Sequence, residues 1–85
     1  MTRIAKSLDA MGTGPQKHSL TLRGHRTSVT LEPAFWQAFR EIADEKNIAV
    51  NALAAQIDAM REPDIGLASA IRVYVLQHFR KADRD

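Results

Sequence analysis

From Arg26 to Leu31 the chain reads Arg-Thr-Ser-Val-Thr-Leu, and a period of two with Val29 and Leu31 on one side predicts a β-strand beginning at His25 or Arg26. Glu32-Pro33 interrupts it, and the period then becomes 3.6. Phe35, Phe39 and Ile42 fall at i, i+4 and i+7, with Trp36 and Ala43 widening the stripe, which predicts an amphipathic helix from Pro33 to about Lys46. Pro33 suits the first helical position, where its missing N–H has no intrahelical partner anyway. Asn47 can take the left-handed conformation that ends the helix, with Ile48 folding back on the last turn. A second helix is predicted from Val50 to Met60, carrying Leu53, Ile57 and Met60 on one stripe. The run "REPDIG" breaks it, and Asp64 can cap a third helix from Ile65 to about Lys81, striped by Ala68, Ile71, Val75 and Phe79. Leu67, Tyr74 and Leu76 broaden that stripe, so the third helix is apolar on more than one side and calls for two packing partners.

Upstream the pattern weakens. Residues 1–18 read as a flexible N-terminal arm, with Gly12, Gly14 and Pro15 breaking any periodicity, and residues 19–85 as one domain. "SLTL" is a short alternating run followed by Arg23-Gly24. That dipeptide can be the two-residue turn of a hairpin, or Gly24 can relax one continuous extended arm, and the extended arm is the favoured expectation. No internal repeat or low-complexity tract stands out. The expected class is therefore mainly α with one short β-strand. A lone strand leaves its backbone polar groups unpaired, so the expected solution is the same strand of a second copy, paired antiparallel about a two-fold axis. Val29, Leu31, Phe35, Phe39, Ile42, Leu53, Ile57, Ile71 and Val75 are the expected dimer core.

Composition supports association. At 85 residues the chain is one domain whose single-chain core would be marginal. A make-up of 45% hydrophobic and 26% charged residues is globular, not disordered. Cysteine is absent, which excludes a disulfide framework, a zinc ribbon and a thiolate nucleophile and fits a reducing cytoplasm. Lys6 and Asp9 interrupt any signal-peptide core, and no run approaches the roughly 18 apolar residues of a membrane span. Net charge is only +2, but residues 1–31 carry +4 and the remainder −2. The basic end is the strand end, where a polyanion would be attracted.

The run "RTSVTLEPAFWQAFREIADEKNIAVNALAAQID" resembles the ribbon-helix-helix domain of the Arc and MetJ repressor class, and "GHRTSVTLE" is similar to a short bacterial subgroup of it. The resemblance implies an intertwined homodimer whose intermolecular antiparallel ribbon enters the DNA major groove, with the third helix as a C-terminal addition. Carried over, the base-reading residues are Arg26, Ser28 and Thr30, a basic and hydroxyl set able to donate to guanine and to hydrogen-bond either way. The phosphate-binding residues are Arg23 with Val50 and Asn51 at the start of the second helix, where unpaired N–H groups meet an anion. Ala49 stands where the family commonly has a Ser or Thr cap, and Glu32 puts an acid beside the ribbon.

Other chemistry finds little support. Phe35, Trp36 and Phe39 could form a stacking platform for single strands, but their helical spacing assigns them to a core. His18, His25 and His78 are not spaced as metal ligands, and no nucleophile is paired with a base, so no metal, cofactor or enzymatic activity is expected. The expected partners are double-stranded DNA and a second copy, in a cytoplasmic bacterial transcription regulator. An antitoxin-like or adaptor role with a protein partner is the alternative. The short polar run "HFRKADRD" is expected to be too little to wrap a toxin, which favours regulation.

Overall fold

Arg23 and Gly24 both have positive φ, 53° and 84°, and this pair sets the topology. A two-residue turn with both central residues in that region is type I′, whose twist matches the strands it joins. It closes β1 (Gln16–Leu22) and β2 (His25–Leu31) into an antiparallel hairpin, in register from Gln16 opposite Leu31 to Leu22 opposite His25. The computed structural model describes residues 14–84; residues 1–13, most of the expected arm, lie outside the described residues. Two expectations are corrected here. Among the described residues there are two strands of 7 residues each instead of one, and "SLTL" belongs to a hairpin, not to an extended arm. Gln16, Lys17 and His18, expected at the end of the arm, are strand. The physical reason is the turn: Gly24 adopts positive φ without steric cost, Arg23 bears a cost, and a full ladder of backbone hydrogen bonds offsets it. The strand therefore finds one partner within the chain, and the outer edge of β2 stays unpaired among the described residues.

The helices follow the sequence closely. Helix α1 (Pro33–Glu45) starts with Pro33 in its first turn and ends where Asn47 takes φ 57°. The Ile48 N–H donates to the Ala43 carbonyl and the Asn47 N–H to that of Asp44, both at 3.0 Å, which is a Schellman ending. Helix α2 (Val50–Met60) begins at Ala49, which offers no side-chain cap. Helix α3 (Leu67–Arg84) starts two residues later than expected. Asp64 does not cap it. Pro63 and Asp64 instead sit inside a turn closed by the Ile65 N–H donating to the Glu62 carbonyl at 3.0 Å, and the Gly66 carbonyl accepts the bond from Ala70. Arg61 staples this loop, donating to Asp58 Oδ1 at 2.7 Å and to the Ile65 carbonyl at 2.6 Å.

The core lies between the hairpin's inner face and the three helices. Leu31, Phe39, Ile42, Leu53 and Ile71 are fully buried, with Val29, Ile57 and Val75 nearly so. Phe35 is half-buried at the rim. These expected dimer-core residues thus form the core of a single chain. Leu20 joins them at 2% exposure, delivered by a strand where the sequence pattern suggests an arm. The outer side of α3 stays open: Val73, Leu76 and Phe79 are exposed, and Met60 and Ile65 lie beside them. No helix among the described residues is long and apolar enough to cross a membrane.

Candidate nucleic-acid interface

Side chains alternate across a strand, so each cross-strand pair shares one face. The register sorts the ribbon cleanly. His18, Leu20, Leu22, Val29 and Leu31 turn toward the helices, while the pairs Lys17–Thr30, Ser19–Ser28 and Thr21–Arg26 turn away. All six outward residues are exposed, and Arg23 adds a third cation at the hairpin tip. No acidic residue lies between Gln16 and Leu31. Arg26, Ser28 and Thr30 therefore lie together on a solvated, basic face. Thr27, on the inner side with Val29 and Leu31 by alternation, remains exposed near the turn of the hairpin.

Lys17, Ser19 and Thr21 share this face, and assigning their segment to an arm hides them. The signal is present in the sequence nonetheless: "KHSLTL" (17–22) and "RTSVTL" (26–31) are two versions of one six-residue pattern, with Ser, Thr and Leu identical and Lys/Arg and Leu/Val conservatively exchanged. The expectation of no internal repeat is thus corrected, because the hairpin itself is one.

The start of α2 stands at the margin of the ribbon. In a hairpin with a two-residue turn, Leu22 and His25 form a hydrogen-bonded pair, so by alternation the Thr21 N–H points away from β2. It donates to Asn51 Oδ1 at 3.1 Å. Asn51 is thereby fixed against the outer edge of β1, with its amide NH₂ still a donor. The N–H groups at Val50 and Asn51 precede the first intrahelical bond, which Leu53 makes to the Ala49 carbonyl at 3.0 Å. A cleft of about 700 Å³ separates this helix start from α1, and Arg40, Glu41 and Asp44 give it mixed charge.

Glu32 does not face the basic surface. Its carboxylate receives a two-pronged hydrogen bond from Arg72 of α3, Nε to Oε1 at 2.9 Å and Nη2 to Oε2 at 3.1 Å. That guanidinium, more than the backbone hydrogen bond at Glu32, holds its carboxyl below the usual Glu range. Arg72 also sits 5.9 Å over the Phe35 ring. The aromatic residues take part in packing: His18 stacks on Trp36 at 3.9 Å with planes 7° apart, Trp36 meets Phe39 at 6.0 Å, and Phe39 is fully buried. His78 approaches Glu45 at 3.3 Å, and His25 lies at the hairpin turn. The three histidines thus go to three different places, and no cluster of three or more His, Cys, Asp or Glu side chains fit to hold a metal occurs among the described residues.

The comparisons with known proteins agree with this geometry. Among curated proteins no significant match is found. Among solved structures, an uncharacterized protein from Bordetella pertussis Tohama I is similar at a TM-score of 0.69 and 27% identity, over 100% of this chain and 73% of that one. The family model described as "Ribbon-helix-helix domain" matches residues 15–79, which takes in both strands and all but the last five residues of α3. Proteins of this kind are generally DNA-binding regulators with no enzymatic chemistry of their own. By that match, carried by the hairpin and the helices behind it, the chain belongs to the ribbon-helix-helix domain family.

Proposed function

We propose that this protein is a bacterial transcription regulator that binds double-stranded DNA sequence-specifically by laying its ribbon in the major groove. The observation that carries the reading is the outward ribbon face, uniformly polar, basic and free of acidic groups, on a family fold whose members bind DNA. Arg26 donates to a base edge, while Ser28 and Thr30 make shorter contacts. Arg23, Val50 and Asn51 hold phosphates on the ribbon's flanks. The Glu32–Arg72 pair keeps the one nearby acid turned toward α3, which removes the repulsion that the sequence suggests.

The working unit is a homodimer. The open stripe of α3, with Val73 and Leu76 more than half exposed, is what a second copy covers. Each protomer closes its own hairpin and keeps the outer edge of β2 free to pair with the same strand of the second copy. Leu76→Asp should hold the chain monomeric in sedimentation while leaving its helical circular dichroism intact.

Selection from random duplexes, with the native upstream region included, followed by affinity measurement over a salt series, tests the function. A recovered consensus, bound by wild type at least about tenfold more tightly than a scrambled duplex, is expected. Equal affinity for both, or none at low salt, refutes the reading and turns attention to the α3 stripe as a surface for a protein partner.

A further inference from the structure

The two edges of the hairpin are unlike. Leu22 and His25 form the hydrogen-bonded pair next to the turn, so by alternation the backbone N–H and C=O groups of Arg26, Ser28 and Thr30 point away from β1. Among the described residues no strand meets that edge of β2. The outer edge of β1 is closed at Thr21, whose N–H donates to Asn51 Oδ1 at 3.1 Å, so the start of α2 stands there. The sheet can therefore grow at β2. When the same strand of a second copy pairs with it about a two-fold axis, the two copies of β2 lie at the centre and a copy of β1 lies on each flank.

We infer that β1 is a rail for the DNA backbone, with Lys17, Ser19 and Thr21 contacting phosphates along one wall of the groove whose floor Arg26, Ser28 and Thr30 read. The inference rests on the DNA-binding reading above and adds a site to it. Dimensions separate the two strands. With neighbouring strands about 4.8 Å apart, the β2 backbone runs about 2.4 Å from the two-fold axis and that of β1 about 7 Å from it. The major groove is about 12 Å wide, so its walls stand about 6 Å from its midline. β2 thus lies over the bases and β1 over the wall. The cross-strand register turns Lys17, Ser19 and Thr21 to the same side as Arg26, Ser28 and Thr30, so both sets face the duplex together. The chemistry agrees: a Lys ammonium suits a phosphate as a point charge, and Ser and Thr hydroxyls donate to phosphate oxygens. No acidic residue lies between Gln16 and Leu31 to oppose them. Arg23 continues the row past Thr21 at the hairpin tip, and Val50 and Asn51 adjoin it through the Thr21–Asn51 bond. Leu20, between Ser19 and Thr21 and only 2% exposed, holds the row against the helices.

The test uses the full chain with the duplex selected by wild type and a scrambled one, each titrated over a salt series. Lys17→Ala should weaken both duplexes alike, and should reduce the salt slope by about 1.8, because each of two copies loses one phosphate contact worth about 0.9. Ser19→Ala combined with Thr21→Val, which removes both hydroxyls and no charge, should weaken both duplexes by at least about twofold at an unchanged ratio. Arg26→Ala should instead lower the ratio of the two affinities. Lys81→Ala, an exposed cation one turn past His78, which meets Glu45 at the far end of α1, should move neither affinity nor slope. A neutral methylphosphonate placed at each phosphate of the selected duplex in turn should reproduce the loss from Lys17→Ala at one phosphate on each side of the two-fold axis, and the two losses should not add there. The inference is overturned if Lys17→Ala changes the affinity ratio as Arg26→Ala does, which would make β1 a reader of bases. It is also overturned if Lys17→Ala moves binding no more than Lys81→Ala. A wild type that binds and selects while Lys17→Ala is silent sinks the rail alone, whereas a wild type that binds neither duplex at low salt sinks the DNA-binding reading and the rail with it. Circular dichroism of each variant confirms that the exposed substitutions leave the fold in place.

Discussion

Leu20→Ala separates a hairpin that belongs to the folded unit from a strand merely resting on it. Leu20 is 2% exposed and sits on the inner face of β1 across from Thr27, among the side chains of the core. Truncating a buried Leu to Ala removes transfer free energy and leaves a cavity, at about 2 to 5 kcal/mol depending on how far the site collapses. β1 is an edge strand with solvent at its margin, so collapse is easier than deep inside a protein. The lower part of that range, about 2 to 3 kcal/mol, is expected. For a domain of this size each kcal/mol moves the midpoint by about 4 to 8 °C, so Tm should fall by roughly 10 to 20 °C. Thr21→Ala, next to it but outward, is the control: its hydroxyl is exposed and its bond to Asn51 uses the backbone N–H, so it should change stability by less than about 0.5 kcal/mol. Urea unfolding followed by far-ultraviolet circular dichroism at several protein concentrations gives both values. If Leu20→Ala costs no more than Thr21→Ala, β1 is not part of the core, and the intramolecular ribbon is wrong.

Further predictions address the turn, the ion pair and the ribbon's inner face. Arg23→Asn places at φ 53° a residue that tolerates the left-handed region, so it should stabilise the hairpin by up to about 1 kcal/mol in urea melts while weakening binding to all duplexes alike. The Glu32 carboxyl is held below its usual range by Arg72, so its contribution to stability is present at neutral pH and lost as pH falls through that lowered value. Arg72→Met should therefore lower the urea midpoint at neutral pH, and the gap from wild type should narrow on acidification; a gap that widens in acid would contradict the pairing. Val29→Asp puts a charge at a position 4% exposed and should abolish the cooperative melt, at a cost of several kcal/mol.

The helices are legible in the sequence because their signals are local. Pro33 at an N-terminus, Asn47 at positive φ and the stripe of Phe39, Ile42, Leu53, Ile57, Ile71 and Val75 depend on neighbours within a turn or two. The turn at Arg23-Gly24 is harder to read. Arg is an unfavourable residue for the first position of a type I′ turn, where Asn or Gly is the usual marker, so the dipeptide does not announce a hairpin. Missing the turn removes β1, and with β1 go Leu20 from the core, Lys17, Ser19 and Thr21 from the candidate interface, and the repeat that joins the strands. Asp64 misleads in the other direction: it has the chemistry of a helix cap, but Pro63 before it commits both residues to a turn. The Glu32–Arg72 pair spans 40 positions, and no local pattern reveals it.

Whether the outward ribbon face is where DNA lies can be read most directly from backbone amide shifts of the labelled chain titrated with its selected duplex. The account predicts that the largest changes fall on Lys17, Ser19 and Thr21 together with Arg26, Ser28 and Thr30, extend to Val50 and Asn51, and spare Val73 and Leu76. Changes concentrated on α3 with a silent ribbon would contradict it.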